Sequence, residues 1–279
     1  MTEILPVASL HFSTLNRSEH MPLFAEWCEF DSTVSEKKRL LKLREKVGGR
    51  DAIADILASV LRSHYDDVTR IAQDVSELGY GQAAALLSER MPRSATARSG
   101  ELGEILATEL IEEKLGYRVP VRRLRYKDGR EMALRGDDFI GIQKNNSGET
   151  LKYAKGESKS RKTLAQDAIN DARIVLARDH GRPTPTSILF VADRLMDLGG
   201  EEEKLGRAIR NEVATRAVPP DRIEHVLFTV SGNATPKALL DDFAAASGDR
   251  PHAVIHLEVP DHQDFIKASF EKALKLGND

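Results

Sequence analysis

From Met91-Pro92 onward the chain alternates short apolar runs with longer amphipathic stretches, and this alternation limits the folds open to it more than any other feature. Helical and extended segments are told apart by the period of their apolar residues. Ser94 to Leu115 reads as a helix with Leu102, Ile105, Leu106 and Leu110 along one stripe and Gly116 as its C-cap. Tyr117 to Tyr126 reads as strand-like, Met132 to Ile142 as a second strand and Leu151 to Ser158 as a third, with turns at Lys127 to Arg130 and Asn145 to Gly148. Thr163 to Arg178 is a predicted helix. The unbroken apolar run from Ser187 to Ala192 reads as a buried strand. Glu201 to Arg216 reads as a helix, Arg222 to Val230 as a strand, Lys237 to Ala246 as a helix, His252 to Val259 as a strand and Gln263 to Leu276 as a final helix. This order predicts a mixed α/β fold, a central sheet flanked by helices.

The part before Pro92 is patterned differently. Glu3 to Asn16, with Pro6, suggests an irregular or edge strand. Trp27, Cys28 and Phe30 form an apolar cluster beside residues 21–24 and read as a lid on the core. Ser35 to Arg90 reads as helical: Leu40, Leu41 and Leu43 alternate with Lys and Arg, Gly48-Gly49 makes a break, and Ile53, Ile56, Leu57, Val60 and Leu61 follow at helical spacing. Asp66 or Asp67 caps the next helix and Gly79 ends it. The expected organisation is a mostly helical region over residues 1–92 and a second domain over 93–279. Hydrophobic residues make up 41% of the chain, enough for a sizeable core. The net charge of −3 excludes a globally basic nucleic-acid binder, and a single cysteine excludes an internal disulfide or a cysteine-based zinc site. The first residues lack a secretory pattern, and no apolar run is long enough to span a membrane. A soluble cytoplasmic protein is expected.

The stretch from Gly136 to Lys162 carries the chemistry. It predicts a hairpin with Asp137 and Asp138 at the start of an apolar run and Glu157-Ser158-Lys159 at the end of the next. Buried carboxylates neutralise, pair or bind metal. Asp138 and Glu157, on neighbouring strands, suit a shared divalent cation such as Mg²⁺. Lys159 lies two residues beyond Glu157 and points to the same strand face, where it suits a water or developing negative charge. Residues 91–165 hold 16 Lys and Arg against 11 Asp and Glu. Arg122, Arg123, Arg125, Lys155, Arg161 and Lys162 are the candidate contacts to a phosphate backbone. The competing reading is a set of solvated edge-strand charges that discourage aggregation. Glu-x-Lys alone carries little weight, since it also occurs at Glu36, Glu112 and Glu202 within predicted helices. The eight histidines show no metal-ligand spacing, with His252 and His256 the one pair able to share a strand face. Ser231-Gly232-Asn233 reads as a plain turn.

In that context, Glu104 on a helix, Gly136-Asp137-Asp138-Phe139-Ile140-Gly141-Ile142 and Gly156-Glu157-Ser158-Lys159 resemble the PD-(D/E)XK nuclease superfamily. The resemblance covers about Ser99 to Leu176. The wider sequence, with its Gly-Glu-Leu-Gly-Glu helix, resembles HamA, the nuclease component of the Hachiman antiphage defence system. The resemblance implies a restriction-endonuclease-like sheet and metal-dependent hydrolysis of DNA phosphodiester bonds with Mg²⁺ or Mn²⁺. It also implies a HamB-like helicase partner that supplies any ATP hydrolysis, because this chain has no phosphate-binding Gly-x-x-x-x-Gly-Lys loop. Asp138 would be the first metal acid, with Asp137 the competing choice under a one-residue register shift. Glu157 and the Ser158 carbonyl would complete the metal ligands. Lys159 would be the catalytic lysine. Glu104 would be the helix acid, with Glu101 as runner-up. The superfamily's first motif is often Pro-Asp, and no proline stands here. Two rival readings are a catalytically inactive nuclease fold that binds DNA or docks a partner, and a repair or restriction nuclease of the same superfamily.

Overall fold

The computed structural model describes residues 22–144, 150–215 and 218–276. Six strands, β1 (Cys28–Ser35), β2 (Lys38–Glu45), β3 (Phe139–Lys144), β4 (Leu151–Arg161), β5 (Ile223–Ser231) and β6 (His252–Glu258), form one sheet in the order β1-β2-β6-β5-β4-β3. The two outer pairs are antiparallel hairpins, and the three inner pairings are parallel. Parallel strands need both faces covered, and all nine residues of β5 are buried.

The covering helices are α1 (Leu23–Trp27), α2 (Gly49–Tyr65), α3 (Val68–Leu78), α4 (Tyr80–Arg90), α5 (Ala95–Lys114), α6 (Gln166–Ala177), α7 (Pro185–Leu198), α8 (Gly200–Thr215), α9 (Lys237–Ala245) and α10 (His262–Ala273). On one face, α2, α5 and α10 bury Phe139, Ala154, Val226, Phe228, Ile255 and Leu257 in the largest core. On the other, α6 and α9 pack on Leu227 and Val254, while α7 and α8 pack on Ile140, Ile142 and Tyr153. The result is the expected mixed α/β architecture with helices on both faces of a central sheet and helices α1 to α4 toward the N-terminus.

Three segments differ from the sequence reading. Leu40 to Leu43 lie in a strand, because Leu41 and Leu43 turn to the α2–α10 face and Leu40 to the other, a period of two. The Lys and Arg residues between and beside them make cross-strand ion pairs, Lys42 with Asp31, Arg44 with Glu258 and Arg39 with Glu224. Ser187 to Ala192 lie in helix α7. Pro185 opens it, Thr184 Oγ1 accepts from the Ser187 N–H, and Ile188, Val191, Ala192 and Leu195 are buried at helical spacing. Tyr117 to Tyr126 is not a strand. Pro120 interrupts the ladder after a single bridge between Arg118 and Ile142, and Arg123–Tyr126 form a 3-10 turn. The second predicted strand is shorter than read and begins at Phe139. The segment from Glu3 to Asn16 and the turn from Asn145 to Gly148 lie outside the described residues. Trp27 and Cys28 are fully buried against Phe24 and Phe265, and burial pushes the Cys28 thiol well up, so it is inert packing. Phe30 stays 39% exposed.

Candidate functional site

Strand β4 outlasts its hairpin partner. The register pairs Phe139 with Gly156, and the last backbone bond runs from the Asp138 N–H to the Gly156 carbonyl, 3.2 Å. Residues 157–161 therefore have β5 on one side and no strand on the other. Amides that face one edge recur every second residue. Ser158 thus presents its N–H and C=O where β3 has ended. The Asp138 carboxylate takes that place: its Oδ2 accepts from Ser158 N at 2.7 Å and from Ser158 Oγ at 2.9 Å.

The register question is answered by partners. Asp137 is fully buried and turns to the other side. Its Oδ2 accepts from Thr184 N at the start of α7, its N–H donates to Ser187 Oγ, and its Oδ1 faces Lys155 Nζ at 3.6 Å. Gly136 makes this approach feasible, since it has φ +98° and a Cβ there would collide with Ser187 Oγ. Asp137 is thereby built into the scaffold, and Asp138 is left facing the free edge.

Alternation along β4 puts Lys155, Glu157 and Lys159 on one face and Ser158 and Ser160 on the other. Glu157 Oε1 lies 2.5 Å from Lys159 Nζ. Helix α5 crosses the Ser158–Ser160 face, its close approach allowed by Gly103, whose added Cβ would meet Ser160 and Ser158 side chains. Glu104 follows Gly103 and is brought to the same edge. Burial raises the Glu104 pKa well above the carboxylate range, with Asp138 the next cause. Burial and then Asp138 push Glu157 up to about 7. Burial also raises Asp138, against the Ser158 hydrogen bonds and the Lys159 and Arg123 charges. The three acids thus share one electrostatic neighbourhood centred on Asp138.

Other predicted residues are placed elsewhere. Glu101 is buried and held by Tyr65 Oη at 2.6 Å and by Lys127. Arg122 is paired with Glu112 and Glu109, and Arg125 bonds the Ser63 carbonyl and Asp67. Lys155 is wholly buried, with Nζ on the Arg178 carbonyl at 2.9 Å and against Asp137, so it faces no external phosphate. Arg161 and Lys162 are exposed beyond the site. Arg123 is 8% exposed, donates to the Arg135 carbonyl, and lowers the pKa of Glu104 and of Asp138 by its charge. Its buried Nε has no hydrogen-bond partner. Sequence reading placed Arg123 among backbone contacts, and nothing in the sequence marked it as the cation beside the acids. His256 is satisfied by Thr229 and the Asn233 carbonyl, and Asn233 caps Leu164 N.

Among the described residues, no three His, Cys, Asp or Glu side chains already stand close enough to hold a metal ion. The donor set is nevertheless of the right kind. Carboxylate and carbonyl oxygens suit a hard divalent cation, and acids whose pKa values are raised by burial and by one another gain from a positive charge between them.

Fold and site together define a mixed α/β protein with half-buried and buried acids and a lysine near a free strand edge. The family model named HamA matches residues 21–273, and the chain belongs to the HamA family. It is 26% identical over 256 residues to the Hachiman protein HamA of Bacillus cereus, with 90% of each chain covered. Among the described residues no helix is long and apolar enough to cross a membrane.

Proposed function

We propose that the chain is a metal-dependent nuclease of the PD-(D/E)XK type, with a restriction-endonuclease-like core, that acts on DNA as the cytoplasmic effector of an antiphage defence complex. The observation that carries this reading is Asp138 held on Ser158 at the open edge of β4, beside the Glu157–Lys159 contact and within electrostatic reach of Glu104. Membership of the HamA family, and the Hachiman name of the Bacillus cereus relative, support the defence role.

Asp138, Glu157, the Ser158 carbonyl and Glu104 would hold Mg²⁺ or Mn²⁺. When bound, such an ion supplies Lewis-acid polarisation of a phosphate oxygen and a more acidic water. The protein side of the chemistry is set by the acids and Lys159. Glu157, with a pKa near neutrality, loses or keeps a proton at small cost. Lys159 Nζ, now on Glu157 Oε1, is placed to orient the attacking water or to donate to the developing oxyanion. Arg123 offsets the acids' negative charge from within. Exposed Arg161, the last residue of β4, and Lys162 just beyond it would contact the nucleic-acid backbone. A HamB-like helicase would be the partner that supplies ATP-driven movement.

The test is a cleavage assay on supercoiled, linear and single-stranded DNA with Mg²⁺, with and without the helicase. Glu157→Ala and Lys159→Ala are expected to abolish cleavage, by at least about 100-fold, while retaining the wild-type circular dichroism spectrum. Full Mg²⁺-dependent cleavage by both variants would remove the assignment. The tight Glu157–Lys159 contact also favours one rival, a non-catalytic docking subunit. That rival requires a melting temperature indifferent to Mg²⁺ and Mn²⁺, whereas a metal bound by the folded state raises it.

A further inference from the structure

A second polar site lies at the opposite ends of the parallel strands. A cavity of about 420 Å³ opens where β5 and β6 begin, between α6, α9 and the turn after α6. Its walls include Arg173, His180, His225, Asp242, Arg250 and His252. It shares no residue with the acid cluster.

The turn that forms one wall is strained. Asp179, His180 and Gly181 have successive φ values of 56°, 56° and 74°. Left-handed backbone costs non-glycine residues about 1–2 kcal/mol each. The strain is held by donors that grip the turn's carbonyls: Lys155 Nζ on Arg178, Arg250 on His180 and Gly181, and His225 Nε2 on Gly181 at 2.8 Å. The same grip turns two guanidinium groups and two imidazoles toward one space.

The decisive group is His252, which is 5% exposed. Its Nδ1 faces the Arg173 Nη1 donor at 3.4 Å. Nδ1 is therefore the acceptor, and the ring proton sits on Nε2. That Nε2 is buried and has no hydrogen-bond partner. A buried donor without an acceptor costs about 1–3 kcal/mol, and a bound acceptor would remove that cost. Arg173 spends Nε and Nη2 on Asp242 and keeps donor capacity on Nη1. We propose that this cavity binds a phosphate-type dianion, with Arg173 and His252 as its donors and the Arg250 charge, fixed on the turn's carbonyls, behind them. The volume exceeds the ion alone and lies in the range of small-ligand sites, roughly 300–1,000 Å³. A mononucleotide and the 5′-phosphate end of a nucleic-acid strand present the same group.

The charged surroundings set the pH dependence. His225 faces Arg250, Lys155 and His252; His252 faces Arg173, Arg250, Asp242 and Asp249. Burial first, and the cations next, hold His225 down to about 3 and His252 to about 4. Both imidazoles are therefore neutral between about pH 6 and pH 8, and His252 offers its Nε2 proton to an anion without taking up another.

The experiment is isothermal titration calorimetry on the full chain in chelator, using sulfate, adenosine monophosphate and a 5′-phosphorylated oligonucleotide. Sulfate keeps its charge across the range, so its affinity reports the protein's donors and not the titration of the ligand. Saturable sulfate binding is expected, with an affinity that changes by less than about twofold between about pH 6 and about pH 8. Arg173→Gln should abolish it. Because Arg173 also anchors Asp242, Ser247→Glu on the exposed cavity rim serves as the variant that spares the fold, and it should weaken binding by about tenfold. Tighter binding of the nucleotide or of the strand than of sulfate supports the site and identifies the source. Absence of saturable binding by all three probes, or unchanged affinity in both variants, overturns it.

Discussion

Asp137 has a backbone N–H and an ammonium on its carboxylate, and no exposed surface; Asp138 has the edge of β4 in front of it. Their difference is a matter of partners, so their substitutions should separate. Asp137→Asn leaves the Lys155 ammonium unpaired in the interior, an omission worth about 3–5 kcal/mol, and urea unfolding should show that loss. Asp138→Asn should cost less stability, because Ser158 can still donate to the remaining carbonyl oxygen, yet should remove metal-dependent cleavage. Glu157 gives a second residue-level prediction. Its folded pKa, about 7, lies above its ordinary value of 4.5. Its contribution is therefore fully present below about pH 4.5 and is lost as pH rises through 7. The histidines held near 3 to 4 act oppositely, between those values and their ordinary 6.5, and so overlap the same window. Subtracting the Glu157→Gln melting profile from wild type isolates the acid. The difference should fall between pH 4.5 and 7 in chelator, and Mg²⁺ should abolish that fall. The sequence alone could name the two aspartates and leave them unranked. Their ranking depends on Thr184 and Ser187, far along the chain, and no local pattern announces that contact.

At the level of elements, the hairpin of β3 and β4 was legible because its turn signals and its Glu-x-Lys end occur together. Helices α5, α6, α8, α9 and α10 were legible from their stripes. Two of the misread segments have a common cause: a short apolar run has no period until its neighbours exist. Ser187 to Ala192 is apolar at every position that a strand or a helix would use, and the Thr-Pro start decides for the helix. Leu40 to Leu43 becomes a strand because β6 lies beside it. The close packing of β3 on β4 depends on Gly156, where a Cβ would fall inside the Phe139 ring. Gly156→Ala should therefore push β3 outward and cost about 1–3 kcal/mol. Asp138 would move with that strand. The expected readout is a lower urea midpoint together with a higher Mg²⁺ requirement for cleavage, and a change in stability alone would show that Asp138 is positioned without β3.

For the whole molecule, the sheet and the largest core run through both parts of the chain that the sequence divides at residue 92. β2 lies directly against β6 over seven residue pairs. Tyr65 and Trp27 pack on Phe270 and Phe265 of α10. Arg39 pairs with Glu224, whose other oxygen also receives Tyr117 Oη at 2.9 Å. A fragment beginning at Ala95 would keep the acid cluster complete, since Glu104, Asp138, Glu157 and Lys159 all lie within it. It would also expose the outer edge of β6 and the apolar faces of α5 and α10 that α2 now covers. An uncovered parallel strand is a template for aggregation. The fragment is therefore expected to melt without a cooperative transition and to elute as aggregate in size-exclusion chromatography. Co-expression with residues 1–94 should restore a soluble, cooperatively folding complex, because the missing strand and helix dock through side chains already in place. If the fragment alone folds cooperatively and binds Mg²⁺ like the full chain, then the N-terminal region is an accessory to the site and not part of the scaffold that holds it.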